Sequence, residues 1–188
     1  MSKVSLQMLS KEKRILNISR LFNLESCINI LDKDIRLKNI GFNITDISKV
    51  YELSCGRRDI VQTAFLKVLG ETNGNMLLII KYSNLSDFIT KGYRNKVSCS
   101  DFMKETAKVL SERYVNQISQ ITGCELQASV PSIGSGCLEN ILQSPFFEED
   151  IFSRQSFIFL DVLKSDIFEC ESTFIYIPFE NYSIKKAI

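Results

Sequence analysis

Histidine is missing from the sequence: none of its 188 residues is a histidine. Without an imidazole, a catalytic site has no Ser-His or Cys-His nucleophilic pair, no imidazole metal ligand and no histidine general base. Any catalysis must therefore use carboxylates, amides or hydroxyls, or a metal ion that a partner protein carries.

Excess charge, paired cysteines and long apolar runs are missing as well. The net charge of +1 gives no basic excess, so we expect no nucleic-acid partner. The six cysteines lie at least 13 residues apart, which excludes Cys-x-x-Cys zinc and redox motifs, and we expect no metal site in this chain. No window approaches the roughly 18 apolar residues of a membrane span, and the N-terminus lacks the apolar run of a signal peptide. These absences predict a cytoplasmic protein without membrane insertion.

Proline and glycine are scarce, at three and eight residues, and they leave no room for a long disordered linker. Apolar residues make up 45% of the chain and charged residues 24%, as in an ordinary folded domain. At this length we expect a single domain spanning residues 1–188. The stretch Gly134-Ser135-Gly136 lacks the lysine of a phosphate-binding loop, so we expect a turn there.

Helical spacing of apolar residues predicts two long helices. The first runs from Ser10, a suitable N-cap, to Leu31. The second begins at a cap formed by Ser100-Asp101 and ends at Thr122-Gly123. Two short helices are also expected, at 83–89 and 138–142.

Strand-like runs follow each long helix in the same order. After the first helix we expect a strand near 35–40, and then a hairpin formed by the runs 60–69 and 75–82. After the second helix we expect a strand at 124–130, and then a hairpin formed by the runs 156–163 and 167–178. When the sequence is aligned with itself at an offset of 91 residues, the two predicted helices coincide: Ile15 corresponds to Thr106, and Ile30 corresponds to Ile121. The expected fold is α/β of the α+β type, with two long helices packed on about six antiparallel strands. We expect it to be a pseudo-twofold duplication with halves near 10–95 and 100–182.

The second long helix and the strand after it resemble the CheC, CheX and FliY family of chemotaxis phosphatases. In that family the helix begins with a Glu-x-x-Asn motif, passes an aromatic residue, and leads through a Leu-Thr-Gly-like end into an apolar strand and Ser-Pro-Pro. Glu105 lies at the motif glutamate, and the positions that follow in register are Tyr114, Thr122-Gly123 and Ser129-Val130-Pro131. More loosely, Leu16-Asn17-Ile18 and the hairpin at 68–79 are similar to the first half of the family.

The resemblance implies a CheC-like fold and a mechanism that needs no histidine. In the family, the helix lies across the receiver domain of a phosphorylated response regulator. Its asparagine amide orients a water for attack on the aspartyl phosphate, and its glutamate holds the regulator through a charge contact. The resemblance therefore implies no cofactor in this chain, since the Mg²⁺ belongs to the receiver domain. The three-residue spacing puts both groups on one helical face.

Each predicted long helix keeps one member of this pair and carries a cation at the other position. The first keeps Asn17 but has Arg14 where the family has glutamate, and the second keeps Glu105 but has Lys108 at the asparagine position. A lysine only donates hydrogen bonds, so it cannot replace an amide that donates one and accepts another. We expect Asn17 and Glu105 to be remnants of catalytic pairs, Arg14 and Lys108 to contact the partner, and phosphatase activity to be weak or absent.

Glu112 and Asn116 lie four residues apart on nearly the same face as Glu105, so they are further candidates for partner contact; an ordinary solvated helix edge is the alternative. The leading hypothesis is a chemotaxis or two-component accessory protein in signal transduction that binds a response-regulator receiver domain, or a CheD-like deamidase. One alternative is an active aspartyl-phosphate phosphatase with unusual site chemistry. Another is a non-enzymatic scaffold related to the middle domain of a flagellar switch protein. The sequence leaves open whether the chain is an enzyme.

Overall fold

The computed structural model describes residues 25–30, 33–45, 50–53, 56–71, 73–92, 97–144, 158–165 and 171–178. The strands are β1 Glu25–Ile30, β2 Lys33–Thr45, β3 Ile60–Gly70, β4 Gly74–Lys81, β5 Leu126–Ala128, β6 Ser132–Cys137, β7 Ile158–Ser165 and β8 Glu171–Pro178. The helices are α1 Val50–Leu53, α2 Tyr82–Gly92, α3 Cys99–Thr122 and α4 Leu138–Leu142. Strands and helices are segregated into layers, the α+β class expected from the sequence.

The eight described strands form one antiparallel sheet in the order β1-β2-β7-β8-β4-β3, with β5 and β6 sharing the far side of β3. This order is symmetric about the β8–β4 pair, because β2 lies against β7 as β5 and β6 lie against β3. Each half therefore supplies one hairpin and a strand that pairs with the hairpin of the other half. The described part of the sheet has eight strands where about six were expected, because β1 is additional and the strand beside β3 is divided in two.

Both predicted hairpins are confirmed. β3 pairs with β4, and β7 pairs with β8, in continuous antiparallel register. At the β3–β4 turn, the Gly70 N–H donates to Asn73 Oδ1 at 3.3 Å. Gly70 has a φ of 138°, and a Cβ at this position would collide with the carbonyl oxygen of Glu125. Only glycine suits this position, because it tolerates the positive φ and lets the two backbones approach.

The first long helix does not reach Leu31 as predicted, because Glu25–Ile30 is strand β1 and pairs with β2. A short apolar run fits a helical and an extended pattern almost equally well, and the long-range partner strand decides between them. The offset of 91 residues also fails here, since Ile30 lies in a strand and Ile121 in helix α3. The following sites of the first predicted helix lie outside the described residues: Ser10, Arg14 and Asn17.

One face of the sheet packs against α2 and α3, and we call it the α3 face. The sheet strands contribute eight buried side chains to it: Ala64, Leu66, Val68, Met76, Leu78, Ile80, Phe174 and Tyr176. Helix α3 contributes Phe102, Met103, Ala107, Leu110, Tyr114, Val115 and Ile118, which confirms the predicted apolar stripe. This stripe recurs every three or four residues and fixes which side of α3 faces the sheet.

The opposite face of the sheet, which we call the second face, is partly covered by α1 and α4. Val50 from α1 and Leu138 and Leu142 from α4 are fully buried there against side chains of the sheet. Because apolar residues cover both of its faces, β4 is buried from Gly74 to Ile80. A strand buried on both faces has a continuous apolar sequence instead of an alternating one.

Two local predictions are corrected by the structure. The N-cap of α3 is Ser98, not Ser100-Asp101, because the Ser98 side chain accepts a hydrogen bond from the Asp101 N–H at 3.1 Å. The predicted C-terminus is confirmed at Gly123, whose N–H donates to the Ser119 carbonyl at 2.8 Å with a φ of 70°. The expected turn at 134–136 is instead part of β6, because pairing with β3 holds this small-residue segment extended.

Candidate functional site: the exposed side of helix α3

The side of α3 that faces away from the sheet carries the site residues predicted from the second half of the chain. We call Glu105, Lys108, Glu112 and Asn116 the α3 stripe. With 3.6 residues per turn, spacings of three, four and four residues keep these side chains on one side of the helix. Lys108, Glu112 and Asn116 are exposed, and Glu105 is partly exposed. The structure thus brings the four residues together on one solvent-facing surface about three turns long.

The buried side of α3 holds this stripe in a fixed orientation. Tyr114 lies opposite the stripe and is 1% exposed. Its ring packs on Phe174 of β8 with centroids 4.6 Å apart and planes tilted by 42°. Met103, Ala107 and Leu110 are fully buried in the same interface. A helix anchored this way presents its exposed groups from a rigid support, as recognition requires.

Charges alternate along the α3 stripe without being paired across it. No ion pair joins Glu105 to Lys108, or Lys108 to Glu112, within the part of the chain that the structure describes. The backbone of Lys108 is engaged, because its carbonyl accepts a hydrogen bond from Ser111 Oγ at 2.9 Å. The Lys108 ammonium can therefore reach an external acceptor, with a carboxylate on either side of it along the helix.

Sequence reasoning treated Asp101 only as part of a helix cap, yet this exposed residue lies one turn before Glu105. Its carboxylate accepts a hydrogen bond from Ser98 Oγ at 2.6 Å. The four-residue spacing from Asp101 to Glu105 places both carboxylates on one side of a helix, and this spacing can be read from the sequence. The acidic end of the stripe therefore extends one turn further than predicted.

A second polar cluster lies at the start of β3, away from α3. The Lys81 ammonium and the Asp59 carboxylate are 3.0 Å apart, and this hydrogen bond lowers the pKa of Asp59 below its usual value. The Arg57 guanidinium lies over the Tyr51 ring at 4.9 Å. Burial, and then the nearby Glu139 carboxylate, raise the pKa of Tyr51 although Arg57 opposes this effect. The carbonyls of Arg57 and Asp59 accept bonds from the first N–H groups of α4, so this cluster positions α4.

Within the described residues, no three side chains of histidine, cysteine, aspartate or glutamate lie close enough to hold a metal ion. None of the described helices has the length and hydropathy of a membrane span. No protein-family model matches the sequence. A search of curated protein sequences also found no match.

Solved structures do match the fold. FliY of Thermotoga maritima superposes with a TM-score of 0.58 at 9% identity, over 85% of this chain and 87% of that one. The protein has the CheC-like fold. The chemotaxis protein CheX of Vibrio vulnificus gives a TM-score of 0.51 at 12% identity over 76% and 85% of the two chains. A CheC-like superfamily protein from Shewanella sp. PV-4 gives 0.50 at 11% identity over 80% and 88%.

This likeness confirms the CheC-like fold predicted from the segment around Glu105. Identities of 9 to 12% show the fold and do not assign a role to any residue. The structure does establish that Glu105 and Lys108 share an exposed side of α3. The roles of the four α3 stripe residues, and of Asn17 and Arg14, stay predictions.

Proposed function

We propose that this chain is a chemotaxis or two-component accessory protein that binds the receiver domain of a response regulator through the α3 stripe. The observation that carries the proposal is the CheC-like fold with Glu105 and Lys108 together on the exposed side of its long helix. Receiver domains are cytoplasmic, so the proposal places the protein in the cytoplasm. The Mg²⁺ of the complex would belong to the receiver domain, and a CheD-like deamidase is a second candidate partner.

The chemistry of the α3 stripe supports binding more strongly than catalysis. Glu105 and Glu112 are carboxylates that suit basic groups on a partner. Lys108 is a compact cation that attracts a phosphoryl group but has no acceptor with which to orient an attacking water. We therefore propose that aspartyl-phosphate phosphatase activity is weak or absent, and that the bound phosphoryl group meets a charge instead of an amide.

The test is the rate of dephosphorylation of CheY-type receiver domains from the same organism, phosphorylated with acetyl phosphate and Mg²⁺. Lys108→Asn restores the Glu-x-x-Asn pair that begins at Glu105. If the α3 stripe faces the phosphoryl group, this variant should accelerate phosphate release at least about tenfold over the wild type, because an oriented water reacts faster than a free one. Arg14→Glu restores the other pair and should act in the same direction.

A matched control is Lys104→Asn, which removes an exposed lysine one turn before Lys108. It should leave the rate unchanged, since residue 104 lies to one side of the stripe. If neither restoring variant gains activity while the receiver domain still binds, the assignment of the catalytic positions is wrong. If no receiver domain binds, the proposed function itself is wrong.

A non-enzymatic scaffold related to the middle domain of a flagellar switch protein is the second candidate. The presence of Lys108 at the amide position favours it, because a scaffold has no use for a water-orienting group. A scaffold would bind flagellar switch proteins, and it would bind a receiver domain without changing its dephosphorylation rate in either direction. The Lys108→Asn variant separates the two candidates, because it should gain phosphatase activity only if the α3 stripe faces the phosphoryl group.

A further inference from the structure

Strand β6 is an edge strand with unusually little protection. In the described part of the sheet it pairs only with β3. Its sequence, Ser-Ile-Gly-Ser-Gly-Cys, contains no charged residue and no proline. Ser132, Gly134 and Ser135 are exposed to solvent. Proteins usually protect such an edge with lysine, proline or a covering strand, and β6 has none of these among the described residues, so its edge can pair with another strand.

The outward-facing backbone groups of β6 follow from the register. The Leu138 N–H donates to the Asp59 carbonyl, directly beyond the last β3–β6 residue pair. Because bonded and non-bonded pairs alternate in an antiparallel ladder, Gly134 and Gly136 direct their backbone groups to β3. Ile133 and Ser135 then direct their N–H and C=O groups outward, away from the sheet. These groups are spaced as a partner strand requires.

A cavity of about 310 Å³ lies beside this edge, on the second face of the sheet. Its floor includes Phe65 of β3 and Leu77 of β4, and Ile141 of α4 forms one wall. The cavity exists because β6 presents only small residues to this face, and Gly134 has only Thr63 Oγ1 near its missing Cβ, at 3.4 Å. The volume is at the lower limit of small-molecule pockets and suits a single bulky side chain.

We propose that β6 binds an extended peptide segment of a partner protein, and that this segment adds a strand to the sheet edge. The segment is uncharged over about six residues and places one bulky apolar side chain, such as leucine or phenylalanine, in the cavity. Main-chain hydrogen bonds to Ile133 and Ser135 supply affinity, and the cavity supplies selectivity, as in other strand-addition complexes.

A second copy of this chain fits the edge less well than a peptide does. Two copies of β6 would pair over six residues, about 20 Å of strand, and each would contribute mainly serine and glycine. That contact falls short of the roughly 1,200–2,000 Å² that stable interfaces bury. A peptide brings its own apolar side chain and needs no such area. The cavity lies on the second face of the sheet, opposite the face that α3 covers, so this inference does not rest on the proposed function.

The test uses a random heptapeptide library displayed on phage and the intact protein, followed by affinity measurements with the enriched peptides. Ser135→Pro removes one outward N–H without breaking the β3 ladder, and proline is tolerated on sheet edges. Ser135→Ala keeps that N–H and is the matched control. Ser135→Lys places a charge at the same edge, in case the proline variant does not fold. Gly134→Val places a side chain in the cavity.

We expect enriched peptides to be uncharged, rich in β-branched residues and marked by one bulky apolar position. Their affinity should fall at least tenfold in Ser135→Pro and Ser135→Lys and stay within twofold in Ser135→Ala. Gly134→Val should abolish the preference for the bulky residue. Peptides that bind all variants equally, or a library that yields no enrichment over Ser135→Pro, would overturn the proposal. So would a stable dimer whose β6 amides are protected from hydrogen exchange.

Discussion

The contact between Tyr114 and Phe174 connects the core to the candidate site, and its removal gives a quantitative prediction. Phe174 is fully buried on β8, and its ring packs on the side of α3 opposite the stripe. Replacing a buried phenylalanine by alanine costs about 3–5 kcal/mol, and this includes about 0.5–1.5 kcal/mol for the lost aromatic pair. A domain of ordinary stability has about 5–15 kcal/mol in total. Phe174→Ala should therefore remove a large share of the stability of the domain, and nearly all of it if that stability lies at the lower end of this range.

The measurement is the free energy of unfolding from urea titration followed by circular dichroism. Phe174→Leu keeps most of the apolar volume and should lose only about 1–1.5 kcal/mol, so it remains measurable if the alanine variant does not fold. Lys104→Ala, on the exposed side of the same helix, should change stability by less than about 0.5 kcal/mol. A loss below about 1 kcal/mol for Phe174→Ala would refute the packing that holds α3, and with it the orientation of the stripe.

Three further predictions concern local structure. Ser98→Ala should lower the unfolding free energy by about 1 kcal/mol, since it removes the acceptor for the Asp101 N–H at the start of α3, and Ser98→Asn should restore most of the loss. Gly70→Ala should lower the melting temperature far more than an exposed substitution does, because a Cβ meets the Glu125 carbonyl and φ is positive. An NMR titration should give the Asp59 carboxyl a pKa below its usual value, and in Lys81→Met this pKa should return towards the usual value. The stability that Asp59 contributes is therefore present above its unfolded-state pKa and is lost as the pH falls through its folded-state pKa.

The sequence predicts best where local signals and tertiary pairing agree. The β3–β4 hairpin has two apolar runs around a glycine-containing turn, and the apolar stripe of α3 is long and regular. Both patterns leave few alternatives, so the elements are where the sequence places them. The likeness around Glu105 also predicts the CheC-like fold, although identity to the solved structures is only 9 to 12%.

The errors arise where a distant partner strand decides the conformation. Glu25–Ile30 has a spacing compatible with a helix, but β2 provides a ladder that only a strand can use. The glycines of β6 are typical of a turn, yet pairing with β3 keeps them extended. The Ser98 cap was missed by two residues because neighbouring serines offer equivalent hydroxyls and only the helix start selects one. For the candidate site, the sequence spacing of the α3 stripe residues predicts that they share one side of the helix. Only the structure shows that this side is exposed to solvent.

The central claim is that the α3 stripe binds a receiver domain, and the most direct test is a calorimetric measurement of affinity. It compares the wild type with a Glu105→Arg/Glu112→Arg variant, both titrated with phosphorylated CheY-type receiver domains from the same organism. If the α3 stripe is the docking surface, reversing two of its charges should weaken binding at least tenfold, because like charges across an interface are costly. The Ser135→Ala variant, altered on the edge strand β6 and outside the α3 stripe, should bind as the wild type does. Unchanged affinity in the charge-reversal variant, with its fold intact, would contradict the account.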